Sequence, residues 1–418
     1  MSSFVTLPGG TTVSIPAHQA VNRPRYVPKV SYLPIRSGSS DQAWKASGAY
    51  LDYVLPNTVG ILNSVRLRFS VNNTGSSLPV PPTCQWIQQI EVYIGTQQVE
   101  VLYPSDLVTE VVGFMGTDET SAKNEELAIY DSTNLWGQSV PAGARNYYLP
   151  FNNSLTCSRL FVAGVEDEIT FRVYFPPNIF PTSFVLTSCV MEIIEDVPAD
   201  KTETEALLAA HERGIVYNTV IRQRQQTTVT KADATSDLNI DLTSVTGKSA
   251  GLVVYANVAV VPGTGSVNDP TGAGSTVSGG VTTPGLILAN KLAGYRMPLS
   301  TLEINDKLGN KRTEQLRGEV QRSFVWWDQV GTEFASNTNY NTHLIPFSTS
   351  FKSTVQEGAN YGFLEFDGKD RLKITAPFFW KSENPSPNGT ESWQITITNY
   401  AYNQLVFAGK KLKTIVKG

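Results

Sequence analysis

The sequence is poor in charge, in cysteine and histidine, and in long apolar runs. Charged residues make up 17% of its 418 positions, against the roughly 25% usual for soluble domains. A long chain with so little charge either covers much of its surface with partners or uses Thr, Ser, Asn and Gln outside, as β-rich chains do. The formal net charge of −4 excludes general electrostatic binding of nucleic acid by the whole chain. The three cysteines, Cys84, Cys157 and Cys189, cannot all pair within one chain, and none has CxxC spacing. That fits synthesis in a reducing cytoplasm. The longest apolar run, Gly251 to Gly263, is too short to span a bilayer and carries Asn257. No basic start followed by an apolar run is present, so no signal peptide is expected.

Catalytic and metal signatures are equally scarce. The three histidines, His18, His211 and His343, include no HxxxH pair, so no metal site is expected. His211 sits in a helical stretch, where a solvated position is the default. No GxSxG elbow accompanies them. Gly247-Lys248-Ser249 has Leu242 where a phosphate-binding loop needs its first glycine. Glu166-Asp167-Glu168 could supply paired acids for glycoside hydrolysis, but reads more simply as the solvated lead-in to a strand. Trp326-Trp327 and Trp380 could stack sugars or bases, but core or interface packing is the simpler reading. The chain is therefore read as non-enzymatic and without cofactors.

What is present is alternation. Ile90, Val92 and Ile94 alternate with polar neighbours, Gly95-Thr96-Gln97 reverses the chain, and Val99 and Val101 continue in a second arm. Pro104 stops that arm, Ser105 or Asp106 can cap a helix, and Leu107, Val108, Val111, Val112 and Met115 fall at helical spacing. Val65, Leu67, Phe69 and Val71 alternate against Arg66, Arg68 and Ser70. Glu168–Phe175 and Phe184–Ile194 are further strands. Several strands with one short helix argue a sandwich or barrel rather than βαβ units.

The pattern then repeats. Leu238–Leu242 answers Leu51–Leu55, Gly251–Val261 answers Ile61–Val71, and Thr301–Asn305 answers Gln89–Tyr93. In the second copy, Leu308-Gly309-Asn310 supplies the turn and Leu316, Val320 and Phe324 the helical stripe. Ile345-Pro346-Phe347 matches Leu149-Pro150-Phe151, Arg371–Phe378 matches Glu168–Phe175, and Trp393–Tyr400 matches Val185–Glu192. The order never changes, which makes this a two-copy duplication of a β unit. Between the copies, Asp200–Arg213 is the best helix in the chain, with Thr202 and Glu205 as a capping-box pattern and Gly214 past its end.

The expected organisation is an extended basic arm over 1–44, a first β unit over 45–198 and a linker helix over 199–214. A second unit over 215–410 and a basic tail over 411–418 complete it. The arm carries Arg23, Arg25, Lys29 and Arg36 up to residue 40, and Pro8, Pro16, Pro24, Pro28 and Pro34 exclude a long helix there. The tail region carries Lys410, Lys411, Lys413 and Lys417. Two loops, Thr117–Gly143 and Pro262–Gly285, are polar and Gly-rich enough to be exposed.

IQQIEVYIGTQQVEVLY with its short helix resembles the double jelly-roll major capsid proteins of the tectivirus, adenovirus and large-DNA-virus lineage. LDYVLPNTVGILNSVRLRFSVNN is similar to the start of the tectivirus coat protein's first barrel. ADKTETEALLAAHERGIVYNTVIRQ is similar to the charged inter-barrel helix of the large-DNA-virus members. The proline-rich N-terminus departs from the amphipathic helix of the tectivirus coat. The resemblance implies an all-β fold of two tandem eight-stranded jelly rolls with short flanking helices. It also implies a homotrimer that tiles an icosahedral virion shell as a pseudo-hexamer. Implied partners are other copies of the chain, minor capsid and vertex proteins, and an internal membrane, with no sequence-specific nucleic acid. Both termini would then face the interior, placing Arg23, Arg25, Lys29, Arg36, Lys410, Lys411, Lys413 and Lys417 toward membrane or genome. Alternatives are a vertex or receptor-binding virion protein and a carbohydrate-binding double β-sandwich.

Overall fold

A computed structural model describes residues 3–6, 12–15, 26–80, 82–108, 126–128, 138–177, 179–230, 237–260, 276–278, 281–283, 301–317, 325, 328–329, 342–375 and 392–417. Its main strands in the first half are β1 (Tyr26–Leu33), β2 (Tyr50–Leu55), β3 (Ile61–Asn73), β4 (Gln89–Ile94), β5 (Gln97–Leu102), β6 (Gly143–Phe151), β7 (Ile169–Tyr174) and β8 (Phe184–Pro198). They form two antiparallel four-stranded sheets, in the orders β6-β3-β8-β1 and β2-β7-β4-β5.

The second half supplies β9 (Ile215–Thr230), β10 (Leu238–Asp241), β11 (Thr246–Val260), β12 (Thr301–Asn305), β13 (Leu316–Arg317) and β14 (Thr342–Pro346). It continues with β15 (Leu364–Asp367), β16 (Arg371–Thr375), β17 (Ser392–Ala408) and β18 (Lys411–Lys417). Its sheets run β14-β11-β17-β9 and β10-β16-β12-β13. Strand for strand, this is the order of the first half, with β15 and β18 added beside β11 and β17. Each half is a jelly roll.

Period-2 alternation builds the cores. On β3, Val65, Leu67, Phe69 and Val71 are buried while Arg66, Arg68 and Ser70 point outward. In the other sheet, Ile90, Val92 and Ile94 sit beside Val173, Phe171 and Ile169 on the neighbouring strand, all buried. Trp86 plugs the end of the first barrel. It meets Trp44, Phe69, Tyr147, Phe180 and Phe184 with ring centroids 5.0–5.8 Å apart, mostly edge-to-face, the arrangement the ring quadrupoles favour. Leu252, Val254, Leu302, Ile304, Ile345, Leu372, Ile374, Ile395 and Ile397 form the second core. Cys84, Cys157 and Cys189 are buried free thiols, each pushed up to about 12 by burial.

Among the described residues, helices that flank the barrels are α1 (Pro104–Val108), α2 (Ser154–Cys157), α3 (Lys201–Arg213) and α4 (Phe351–Glu357). The cap of α3 is Asp200, whose carboxylate accepts from the Thr202 backbone N–H at 2.9 Å, not the Thr202 hydroxyl. Glu205 instead faces Lys201 one turn back. The Asp106 carboxylate reaches back to the Tyr103 N–H at 2.9 Å. The expected continuation of α1 to Met115 lies outside the described residues.

The ends of the chain differ from expectation. Tyr26–Leu33 is not part of a free arm over 1–44. It is the edge strand β1, paired along Met191–Pro198, so the first barrel begins before residue 45. Prolines that forbid a helix do not forbid an edge strand, where a missing N–H can point away from the ladder. Upstream, Ser3–Thr6 pairs with Thr12–Ile15 in a two-stranded ribbon. Within the tail expected over 411–418, Lys411–Lys417 is β18, joined to β17 by a tight turn with positive φ at Gly409 and Lys410 (58° and 62°). Leu316, expected in a helical stripe, lies in β13 opposite Leu302. Val320 and Phe324 lie outside the described residues, as do most of 117–143 and 262–285 with the tips expected to be exposed.

Candidate assembly surface

The two barrels use the same sheet face differently. In the second barrel, sheet β14-β11-β17-β9 is apolar on both sides. Leu252, Val254, Ile395 and Ile397 face its own core, while Val253, Leu344 and Tyr400 belong to the core of the first barrel. The first barrel therefore covers the outer face of this sheet. It does so with the β5 edge, α1 and α2.

A buried polar seam fixes that docking. The Glu100 carboxylate on β5 accepts from the Arg222 guanidinium on β9 at 2.7 Å, from the Arg222 N–H at 3.2 Å and from the Ser154 N–H at 2.7 Å. Burial opposes the Arg222 charge, but Glu100 beside it compensates and holds the guanidinium above its ordinary value. The Thr219 hydroxyl donates to the Ser154 carbonyl at 2.6 Å, and Thr398 donates to Asp106 at 2.8 Å. Burial pushes the Asp106 carboxyl up despite the nearby Arg222. Arg224 lies 3.9 Å from the Tyr103 ring centre, a close cation–π contact.

Among the described residues, the second barrel does not cover the equivalent face of the first barrel, on sheet β6-β3-β8-β1. Tyr32 and Val30 on β1 are 58% and 48% exposed. Glu192 on β8 lies between Arg66 at 2.6 Å and Arg68 at 3.3 Å. Arg66 stacks over Tyr148 and Arg68 lies over Tyr32. This aromatic and guanidinium row, with its charges already paired, resembles interface composition more than ordinary solvated surface. Sequence reasoning did not single it out. The alternation of Arg66 and Arg68 was visible, but which strands lay beside β3 was not.

Five of the eight cations expected on an inner face have partners within the chain. Lys29 binds the buried Glu195 at 2.9 Å. Arg36 pairs with Glu168. Lys410 pairs with Glu212 at 2.8 Å and Lys411 with Glu166 at 3.7 Å. Lys417 donates to the Thr246 hydroxyl at 3.1 Å. Lys413 is exposed and pairs with no carboxylate among the described residues. Arg23 and Arg25 lie outside the described residues.

Glu166-Asp167-Glu168 is the solvated lead-in to β7, with both glutamates exposed, and it also ties the Lys410–Leu412 turn and Arg36 to the first barrel. The Glu166 N–H donates to the Lys410 carbonyl at 2.8 Å, and Asp167 accepts from the Leu412 N–H at 3.1 Å. His211, expected in solvent, is fully buried, its Nε2 2.7 Å from the Tyr217 hydroxyl. Gly247-Lys248-Ser249 lies inside β11. Trp326, Trp327 and Trp380 lie outside the described residues.

No family model and no curated protein matches the chain. Solved structures do. The VP54 protein of PBCV-1, fitted into a reconstruction of the virophage Sputnik, is 14% identical with a TM-score of 0.65, covering 96% of this chain and 99% of that one. A chain of the PBCV-1 capsid is 14% identical with a TM-score of 0.63, over 92% and 95%. The Faustovirus major capsid protein is 6% identical with a TM-score of 0.59, over 94% and 93%. These neighbours are major capsid proteins of double jelly-roll viruses, and over nearly its whole length the chain has their double jelly-roll fold.

Proposed function

We propose that this chain is a major capsid protein that assembles as a homotrimer, a pseudo-hexamer of six barrels, into an icosahedral virion shell. Its role is structural rather than catalytic. The observation that carries this reading is the unequal cover of equivalent faces. Within one chain the first barrel closes the outer sheet of the second, while among the described residues the same sheet of the first barrel stays exposed at Tyr32 and Val30. A second copy can close it by repeating, head to tail, the contact already made inside the chain. A head-to-tail contact forms a closed ring when its rotation closes. With two barrels per chain, a rotation of about one-sixth of a turn from barrel to barrel, hence about one-third from chain to chain, closes after three chains.

Trimers then meet in a lattice, with minor capsid and vertex proteins at its discontinuities. An internal membrane beneath the shell would be met by Lys413, which pairs with no carboxylate among the described residues, and by Arg23 and Arg25. Synthesis would be in the host cytoplasm. Mass measurement in solution at physiological salt, with electron microscopy of the same sample, tests the reading. Trimers with a hexagonal outline are expected; a stable monomer would overturn it. Val30→Asp with Tyr32→Asp should abolish the trimer and leave the circular dichroism of the chain unchanged.

A further inference from the structure

The junction where the linker helix meets both barrels holds an imidazole in an unusual setting. His211, in the last turn of α3, is enclosed by Phe161 of the first barrel and by Tyr217 and Phe407 of the second, with ring centroids 5.6–5.9 Å away. Its Nε2 contacts the Tyr217 hydroxyl, while its buried Nδ1 has no hydrogen-bond partner. The Gly164 backbone lies so close that a Cβ there would sit 2.4 Å from the ring. The His211 carbonyl accepts from the Lys410 N–H, so the same residue ties α3 to the turn that Glu166 and Asp167 clasp.

The charged neighbours offer no counter-ion. On α3 itself, Glu212 is committed to Lys410, and Arg213 adds positive charge. From the second barrel come the Lys410 ammonium and the neutral Tyr217 phenol. On the first-barrel side, Glu166 faces Lys411, and on β8 Glu195 and Asp196 are held by Lys29 and Arg159. A proton on His211 would place a second cation beside Lys410 inside an aromatic box, with no carboxylate among the described residues free to receive it.

We propose that His211 is an acid-sensitive latch: protonation of its imidazole releases α3 and the Gly409–Leu412 turn, loosening the junction between the barrels. The latch acts on the folded chain and does not depend on the assembly proposed above. Burial, and next the Lys410 charge, lower the imidazole from 6.5 to about 4. The sign follows from that direction. Below pH 6.5 the unfolded or opened chain takes up the proton and the closed chain does not, so the latch weakens progressively from about pH 6.5 down to about 4. The opening equilibrium should shift on the order of a hundredfold across that window.

The test uses the full-length chain. Histidine C2–H deuterium exchange read by mass spectrometry gives the titration of each imidazole, and amide exchange from pH 7.5 to 4 locates the opening. Peptides over 161–166, 209–217 and 405–412 should lose protection before the barrel strands. His211→Gln keeps a hydrogen-bonding side chain and His211→Phe keeps an aromatic one. Either variant should abolish the pH dependence of those peptides. An imidazole that titrates near 6.5, or peptide opening whose pH dependence survives in whichever variant folds, would overturn the latch. Trimerisation measured at pH 7.5 is a separate readout, so failure of the latch and failure of the assembly reading are distinguishable.

Discussion

Glu100 of the first barrel and Arg222 of the second meet at 2.7 Å with 0% and 3% of their side chains exposed. Such a pair draws little net stability from charge, because desolvation offsets much of the attraction. Its use lies in register. The carboxylate also accepts two backbone N–H groups, Arg222 and Ser154, so only one docking of β5 on β9 satisfies it.

Arg222→Ala or Glu100→Ala should each destabilise the chain by about 3–5 kcal/mol, because each leaves a buried charge alone. Replacing both by apolar residues, Glu100→Leu with Arg222→Met, should cost much less than the sum. Urea unfolding of the four proteins closes the cycle. Additive single and double effects would contradict a coupled pair.

Gly164→Ala should destabilise by about 1–3 kcal/mol through overpacking against the His211 ring. Gly48→Ala is a control in open space, though at positive φ. It should cost about 1 kcal/mol from backbone strain alone. Thermal unfolding compares them. A Gly164 variant as stable as the parent would mean that the ring yields freely.

Glu195 on β8 is opposed by burial but held below the ordinary carboxylate range by the Gly60 N–H, Lys29 and Ser31. A lowered carboxylate contributes stability above its unfolded value and loses it as pH falls through the folded one. Lys29→Met should therefore cost about 1 kcal/mol at pH 7, modest because Lys29 is more than half exposed. The gap to the parent should close as acid protonates Glu195. His211 is common to both proteins and cancels in the difference. A gap independent of pH would show that the lysine acts by packing.

Deleting residues 1–25 removes Arg23 and Arg25 and leaves β1 in its sheet, whereas a deletion reaching Arg36 would strip an edge strand. If the amino terminus holds anionic lipid, this truncation should bind vesicles containing phosphatidylserine more weakly and with a shallower salt dependence, by roughly 1 kcal/mol per cation lost. Lys411→Gln should change vesicle binding little, because that ammonium faces Glu166. Unchanged binding of the truncated chain would remove the arm from any membrane role.

The strands were legible because each is a local pattern with one wet face. Val65–Val71 and Ile90–Ile94 show period 2 by themselves, and their ordered recurrence exposed the duplication. β1 was not legible. Its Tyr26–Leu33 residues alternate poorly, since Val27, Val30 and Tyr32 remain exposed on an edge, and the prolines around it point away from regular structure. The burial of His211 is hidden for a similar reason: a helix of mean polar character predicts solvent, and only the approach of Phe161 and Phe407 buries it.

The sequence by itself determined the alternation, the breaks at Pro104 and Gly214, the linker helix and the two-copy order, because each depends on residues close together in the chain. The tertiary structure alone decided which charges are free and which sheet face is covered. Glu100 and Arg222 are 122 residues apart, and Glu166 meets Lys411 from the far end of the chain. An ion pair or a burial is set by distance in space, and loop closure over such spans leaves no periodic trace in the sequence from which to read it.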